Sequence, residues 1–254
     1  MYRLGKRAPR HDCRTLRLEK YLDLSALPPV PPARAWDKGI ANWGQMMNDR
    51  LGDCTCAAAG HAVQVWTANV GKELTVPDSA VLAAYEAAGG YVPGHPGTDN
   101  GAVMLDVLNL WRKAGIGGHR IDAFADVQPF HQAMVKAAVD LFGGIYVGLN
   151  LPASAQDQVG SLWWTVSGGA AAPGSWGGHC VQIVDYDFTN PQPANQTLTC
   201  ITWGALQKMT WRFFARYCDE AYVVLSPDWA TGTQNAPSGF NLAALEADLR
   251  LVTA

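Results

Sequence analysis

The spacing of apolar and polar positions changes near Gly144 and predicts two halves of different structure. Before this point, four segments have apolar residues at the three- and four-residue spacing of helices. They are CTCAAAGHAVQVWTANV, PDSAVLAAYEAAGGY, AVMLDVLNLWRKAG and FHQAMVKAAVDLFGG, and a glycine lies at or just past the end of each. Asp53 is a candidate N-cap for the first helix, and Asp78 or Ser79 for the second.

After Gly144 the pattern becomes that of strands. IYVGLNL, HCVQIVDYDF, LTCITWG and AYVVLS are rich in β-branched and aromatic residues and are bounded by Gly, Pro and Asn. The tail NLAALEADLRLV returns to helical spacing and predicts a closing helix. The order is a helical half followed by an antiparallel β half, which is a segregated α+β layout. A cleft between two such lobes is a natural place for a substrate.

The pattern predicts one domain boundary, near residue 35. Residues 1–35 are predicted to be an N-terminal arm or linker that ends in the polyproline-like LPPVPPAR. Residues 36–254 are predicted to be one domain, divided into a mainly helical lobe (36–143), a mainly β lobe (144–229) and a C-terminal helix (230–254). The basic cluster of the arm favours a solvated segment that could contact a protein partner.

Composition narrows the class of protein. The 254 residues are 48% hydrophobic and 16% charged, which is typical of a folded domain, and the net charge is −3. We therefore expect neither nucleic acid nor an anionic membrane as a partner. No apolar stretch reaches 18 residues, and no export signal is recognisable. Reduced thiols and a cytoplasmic location are the expectations.

The stretch NDRLGDCTCAAAGH, residues 48–61, has the densest candidate chemistry. On one helix Cys54, Cys56 and His61 point to different faces or lie too far apart to bind one tetrahedral metal, so no metal is expected there, and nothing else in the sequence implies a cofactor. His61 lies about 10 Å along the axis from Cys54 and is predicted to be a buried core histidine. Cys54, at the first helical turn, is a candidate nucleophile because the helix N-terminus favours thiolate, although the charge of Asp53 opposes it.

A nucleophilic cysteine needs a base, and His179 is the best candidate. It heads an apolar strand behind two glycines, 125 residues after Cys54. The alternatives are weaker, because they lie in the arm, in loops or beside a connection: His11, His95, His119 and His131.

The ordered set of motifs resembles the papain-like cysteine peptidases, especially their divergent bacterial and phage-encoded branches. NDRLGDCTCAAA is similar to the Gln-x-x-Leu-Gly-Ser-Cys-Thr stretch around the family's nucleophile. GGHCVQIVDYD is similar to its Gly-Gly-His-Ala-Val strand, and ITWG stands where the family has Asn-Ser-Trp-Gly. The resemblance covers about residues 36–229. It implies a papain-like α+β fold with a cleft between the lobes, and hydrolysis of peptide or amide bonds in a peptide or protein substrate.

The resemblance also implies roles for individual residues. Cys54 would be the nucleophile, and His179 the general base that forms an ion pair with it. Asn48 matches the family's Gln, so its amide would join the Cys54 N–H as an oxyanion donor, although Asn is one methylene shorter. Ile201 stands where the orienting Asn belongs and cannot hydrogen bond. Thr202, the nearest polar residue, is expected to point to the opposite face of its strand.

These departures keep a second function open. The chain could be a catalytically degenerate papain-like scaffold with a structural or binding role, for example in a phage virion. The arm is short for the family's inhibitory propeptide, so a zymogen is not favoured. Three tryptophans in a glycine-rich segment, Trp163, Trp164 and Trp176, could line a substrate groove or belong to the core.

Overall fold

The computed structural model describes residues 2–160, 163–167, 171–229 and 241–253. The helices are α1 (Cys54–Asn69), α2 (Asp78–Gly89), α3 (Met104–Lys113), α4 (Gln132–Phe142), α5 (Trp211–Tyr217) and α6 (Leu242–Thr253). The strands are β1 (Leu16–Arg17), β2 (Ala33–Ala35), β3 (Ala123–Asp126), β4 (Ile145–Leu151), β5 (Gly177–Asp187), β6 (Thr197–Thr202), β7 (Ala205–Thr210) and β8 (Cys218–Leu225).

All four helices predicted in the first half are confirmed as α1 to α4. Asp53 occupies the N-cap position of α1, but its side chain makes no capping hydrogen bond. The predicted caps of α2 are wrong. Pro77 is its N-cap residue and Asp78 already lies inside the helix, because the fixed φ of proline suits the residue that enters a helix.

The strands pair in the order β1-β3-β8-β4-β5-β6-β7, and β2 pairs with β5 beside this path. Neighbours along the sheet are antiparallel, except that β1 runs parallel to β3. The four predicted strands are confirmed as β4, β5, β6 and β8. The short β1, β2 and β3 and the polar β7 were not predicted.

Helix α1 is the element that positions the site. Its residues from Cys54 to Thr67 are buried, and the helix packs across β5. Alanine-rich composition allows this close approach, since small side chains let helix and sheet backbones come together. The Tyr146 hydroxyl donates to the carbonyl of Thr55 at 2.8 Å, which fastens the first turn of α1 to β4. The start of the helix therefore lies against the first residues of β5.

Residues 1–35, predicted to be a solvated arm, are instead paired with the rest of the chain at several points. Strand β1 pairs with β3, β2 pairs with β5, and Lys6 forms a parallel bridge with Ala102 between the two lobes. The sequence pattern missed this because the partners lie about 100 or more residues away. Of the predicted C-terminal helix 230–254, residues 230–240 lie outside the described residues, and α6 begins at Leu242. Within the described part of the chain, no helix is long and apolar enough to cross a membrane.

Candidate active site

Cys54 is the first residue of α1, and its thiol lies at the junction of helix and sheet. The Sγ atom accepts a hydrogen bond from the backbone N–H of Cys180 at 3.4 Å. The residue is 1% exposed. Burial raises the pKa of the thiol to about 12. The hydrogen bonds from the N–H groups of Cys180 and Gly5 lower this pKa, but by less than burial raises it. In this conformation Cys54 is therefore a neutral thiol.

His179 lies in β5 directly before Cys180, whose N–H contacts the Cys54 thiol. Its Nε2 is 2.6 Å from Thr202 Oγ1, and the ring of Trp203 stacks on it at 4.3 Å and 12°. Its Nδ1 is buried and makes no hydrogen bond to any described residue. Burial lowers the pKa of the imidazole to about 3, so the ring is neutral.

A segment of the N-terminus, residues 2–7, covers the two groups; we name it the strap. Lys6 N–H donates to Gly178 O at 3.0 Å, Arg7 N–H to Ala102 O at 3.0 Å, and Ala102 N–H to Gly5 O at 2.8 Å. The strap thus makes main-chain hydrogen bonds to both lobes, and it passes directly beside His179.

Glycines let the strap approach the cleft closely. A Cβ atom added to Gly101 would lie 1.9 Å from the Gly5 oxygen, and one added to Gly178 would lie 2.2 Å from the Lys6 oxygen. The Trp203 indole N–H donates to Arg3 O at 3.0 Å. Any larger residue at these glycines would separate the strap from the cleft, so the cleft is shaped to hold an extended peptide backbone.

Three comparisons with known proteins bear on this arrangement. No family model matches the chain, and the search of curated proteins found no match. Among solved structures, xylellain, a cysteine protease from Xylella fastidiosa, superposes with a TM-score of 0.66 over 87% of this chain and 95% of its own, at 16% identity. The chain has the papain-like cysteine protease fold.

Two further structures with the same fold are precursor forms. The ragweed pollen cysteine protease Amb a 11, in its proform, has a TM-score of 0.57 and 15% identity over 80% of this chain and 68% of its own. Procathepsin L 3 of Tenebrio molitor has a TM-score of 0.55 and 12% identity over 87% and 75%. The predicted fold, a helical lobe and an antiparallel β lobe with a cleft between them, is confirmed by these matches.

Within this papain-like fold, Thr202 occupies a place that the sequence assigned differently. The expectation that Thr202 points away from His179 is wrong, since its hydroxyl holds the imidazole. Ile201, on the other face of β6, packs with Trp43, Val65 and Val184. The alternation of the strand is regular, and the error lay in which of its two faces meets the histidine.

The turn after Thr202 explains this geometry. Trp203 and Gly204 have φ of 46° and 74°, and Thr202 pairs with Ala205 across a two-residue hairpin. Positive φ at both central positions is typical of a type I′ turn. Trp203 is unusual there, because a bulky residue rarely adopts positive φ. The stacking of its ring on His179 accompanies this conformation, and the tight turn holds Thr202 beside the ring.

Asn48 does not sit as the resemblance implies. It is 2% exposed, and its amide nitrogen donates to Leu51 O at 3.1 Å and to Asp53 Oδ1 at 3.2 Å. Both N–H groups are therefore used inside the loop that leads to Cys54. The Asn48 side chain stabilises this loop. In this conformation its amide is therefore not free for the oxyanion role that the resemblance implied.

Asp53 is a buried carboxyl directly before Cys54. Its Oδ2 makes no hydrogen bond to a described residue, and burial raises its pKa to about 8. The hydrogen bond from Asn48 opposes this shift but does not outweigh burial. Burial thus favours the protonated, neutral form of this carboxyl and disfavours the negative charge that the sequence led us to expect beside Cys54.

The predicted ion pair between Cys54 and His179 is absent from this closed conformation. Their backbones are brought together, since Cys54 Sγ accepts from the residue after His179, but no hydrogen bond joins Sγ to Nδ1. Burial under the strap favours the uncharged form of each group. A separated pair of charges in so dry a site would be unstable.

The other predicted candidates lie apart from this pair. His61 is buried with its Nε2 3.2 Å from Gly44 O, as expected of a core histidine. In the described ranges no group of three or more His, Cys, Asp or Glu could hold a metal. Trp164 is fully buried and Trp163 is 46% exposed. Trp176 contacts Trp203 at 5.7 Å and so borders the site.

Proposed function

We propose that this chain is a thiol hydrolase that cleaves peptide or amide bonds, with Cys54 as nucleophile and His179 as base. The observation that supports it best is the meeting of α1 and β5. There the thiol accepts the N–H next to His179, and Thr202 holds the far nitrogen of the imidazole. The papain-like fold agrees with this proposal, since the cysteine proteases that share it carry that activity in their names.

The proposed chemistry begins when the strap leaves the cleft. Water then reaches Cys54 and His179, and the effect of burial that keeps both groups neutral is removed. For Nδ1 to accept the thiol proton, Nε2 must carry the other ring hydrogen and donate it to Thr202 Oγ1. Thr202 would thus set the tautomer and the orientation of the base. The sulfur attacks the carbonyl carbon, and the protonated imidazole gives its proton to the leaving amine.

The N-terminus of α1 contributes to the same step. Cys54 lies in its first turn, where backbone N–H groups and the helix dipole favour negative charge. The N–H of Cys180 already donates to the sulfur. The Asn48 amide is already used inside its loop. The N–H groups at the start of α1 and of Cys180 are therefore the donors that would stabilise negative charge in the site.

The test compares hydrolysis of a labelled protein substrate by the wild-type chain and by four variants. Gly5→Ala displaces the strap, because its Cβ would lie 1.7 Å from the Gly52 oxygen. Cys54→Ser and His179→Ala, each combined with Gly5→Ala, should abolish cleavage. Cys13→Ser, which changes an exposed thiol, should leave cleavage intact. If the opened chain cleaves nothing, or if the Cys54→Ser form cleaves equally well, the hydrolase is refuted and the degenerate scaffold is favoured.

A further inference from the structure

We infer that a pocket formed by Gly148, Asp219, Glu220 and Tyr222, which we name the acidic pocket, selects substrates by a lysine or arginine side chain. The inference rests on the proposed hydrolase and names the class of peptide on which it acts. The strap's own Lys6 fills this pocket in the closed conformation.

Lys6 is an unusual residue for so deep a position. Its side chain is 0% exposed, and its Nζ lies 2.8 Å from Asp219 Oδ2 and 3.1 Å from Glu220 Oε1. The Tyr222 hydroxyl donates to the other oxygen of Glu220 at 3.0 Å. Lysine is almost never buried without an ionic partner, and here two carboxylates receive it.

Gly148 provides the space for the lysine stem. It lies in the middle of β4, paired with Cys180 on one side and Glu220 on the other. A Cβ atom at this position would lie 2.1 Å from Lys6 Cε and 2.8 Å from Glu220 Cγ. Glycine weakens a strand interior, so its presence there indicates a close approach by another group. Even an alanine would close the pocket.

The acidic pocket has more acceptor capacity than Lys6 uses. Asp219 Oδ1 is buried and accepts no hydrogen bond from a described residue, while Glu220 Oε1 faces Lys6 Nζ at 3.1 Å. Two carboxylates also face one ammonium group, so negative charge remains in excess. An arginine side chain, with five N–H donors, suits this arrangement as well as a lysine does.

Opening of the strap leaves the pocket in need of a cation. Burial raises the pKa of Glu220 even with Lys6 beside it, which shows how poorly this position is solvated. Removing the cation from a buried ion pair is costly, because the carboxylates are left without compensation. A substrate with a basic side chain restores the pairing, whereas an apolar or acidic side chain does not.

The position of the pocket links this selection to cleavage. Lys6 N–H binds Gly178 O, the residue before His179, and Gly5 lies against Gly52 at the approach to Cys54. A peptide whose basic side chain enters the acidic pocket would therefore place its backbone beside the thiol. Cleavage is expected at one fixed distance, within three residues of the lysine or arginine.

The experiment uses the full chain with Gly5→Ala and a series of quenched fluorescent peptides that differ at one position. Lysine, arginine, norleucine and glutamate are compared, since norleucine has the length of lysine without its charge. The expected kcat/KM is at least tenfold higher for lysine and arginine than for norleucine. Mass spectrometry of the products should find the cut at a constant distance from the basic residue.

Variants of the pocket supply the second half of the test. Glu220→Gln should lower the lysine-to-norleucine ratio about tenfold. Asp219→Asn is the milder change, because its side chain is 17% exposed, and it should act in the same direction. Asp140→Asn is the matched control, since Asp140 is a mostly buried carboxylate that pairs with Arg34 away from the cleft. Equal cleavage of the norleucine peptide, or an unchanged ratio in both pocket variants, would overturn the inference.

A binding measurement separates this inference from the proposed function. The same peptides are titrated by fluorescence anisotropy into the Gly5→Ala chain with Cys54→Ala added. Suppose that binding is lysine-selective but the Gly5→Ala chain that retains Cys54 cleaves none of the peptides. That result would support the pocket and refute the hydrolase. Cleavage without a lysine preference would refute the pocket alone.

Discussion

One added carbon at Gly5 should open the cleft. A Cβ atom there would lie 1.7 Å from the Gly52 carbonyl oxygen and 2.2 Å from the carbonyl carbon. The obstructing atoms are backbone, and the Gly52 N–H is held by Asp99 Oδ1 at 2.9 Å, so they cannot rotate aside. Gly5→Ala therefore removes the closed position of the strap while leaving every residue of the site unchanged.

The size of the effect follows from the contacts that are lost. Three main-chain hydrogen bonds hold the strap, and at about 1 kcal/mol each they favour closure by about 3 kcal/mol. An energy of this size corresponds to an open fraction of roughly 1 in 100. The ion pairs of Lys6 add to it. Reactivity that requires the open form should therefore rise about 100-fold or more in Gly5→Ala.

Alkylation of Cys54 by iodoacetamide at pH 7.5 measures this reactivity. A Cys13→Ser background is used because Cys13 is exposed and the other five thiols are buried. Peptide mapping should assign the accelerated label to Cys54. Gly97→Ala is the matched control, since a Cβ there meets no atom within 4 Å. Wild-type labelling rates in a folded Gly5→Ala chain, or equal labelling of Cys56, would refute the reasoning.

Three further results are expected. In the opened chain, Thr202→Val should lower kcat/KM about tenfold because the His179 ring loses its partner, and Thr202→Ser should restore most of it; unchanged activity of the valine form would contradict the orienting role. Asn48→Ala should lower the free energy of unfolding in urea by about 1–3 kcal/mol, and a loss below about 0.5 kcal/mol would argue against its hold on the loop. The pKa of Asp53 is about 8 in the folded chain and near 4 in the unfolded chain. The free energy of unfolding should therefore fall as pH rises between these values, by about 1.4 kcal/mol per pH unit. Asp53→Asn should therefore gain stability relative to wild type between pH 5 and pH 8, and a pH-independent difference would exclude this explanation.

Much of the fold could be predicted because its signals are local. Helices α1 to α4 have helical apolar spacing and nearby glycines, and β4, β5, β6 and β8 are apolar runs between turn residues. Strand β7, ALQKMT, lacks such a pattern because one of its faces is polar and partly exposed. Strands β1, β2 and β3 have two to four residues each, too few for a period to be recognised.

The site could be predicted in part for the same reason. Two short motifs in the expected order single out Cys54 and His179, and the fold brings their backbones together, while their catalytic roles stay predictions. Thr202 was misjudged because the sequence does not show which face of β6 meets His179, and no propensity rule predicts the positive φ of Trp203 in the turn that follows. Lys6 could not be placed from the sequence at all, since its carboxylate partners lie more than 210 residues away.

The closed conformation distributes charge in a way that connects the strap to the chemistry. Cys54 and His179 are neutral under it, because an ion pair buried to this extent would lose more hydration than it gained in attraction. The positive charge in the cleft belongs instead to Lys6, which compensates two buried carboxylates. When the strap leaves, the acidic pocket loses its cation while the thiol and imidazole gain the water they need to ionise. Under the proposed function, a basic peptide that enters the cleft would meet the ionised pair, so the movement that vacates the acidic pocket would also activate Cys54.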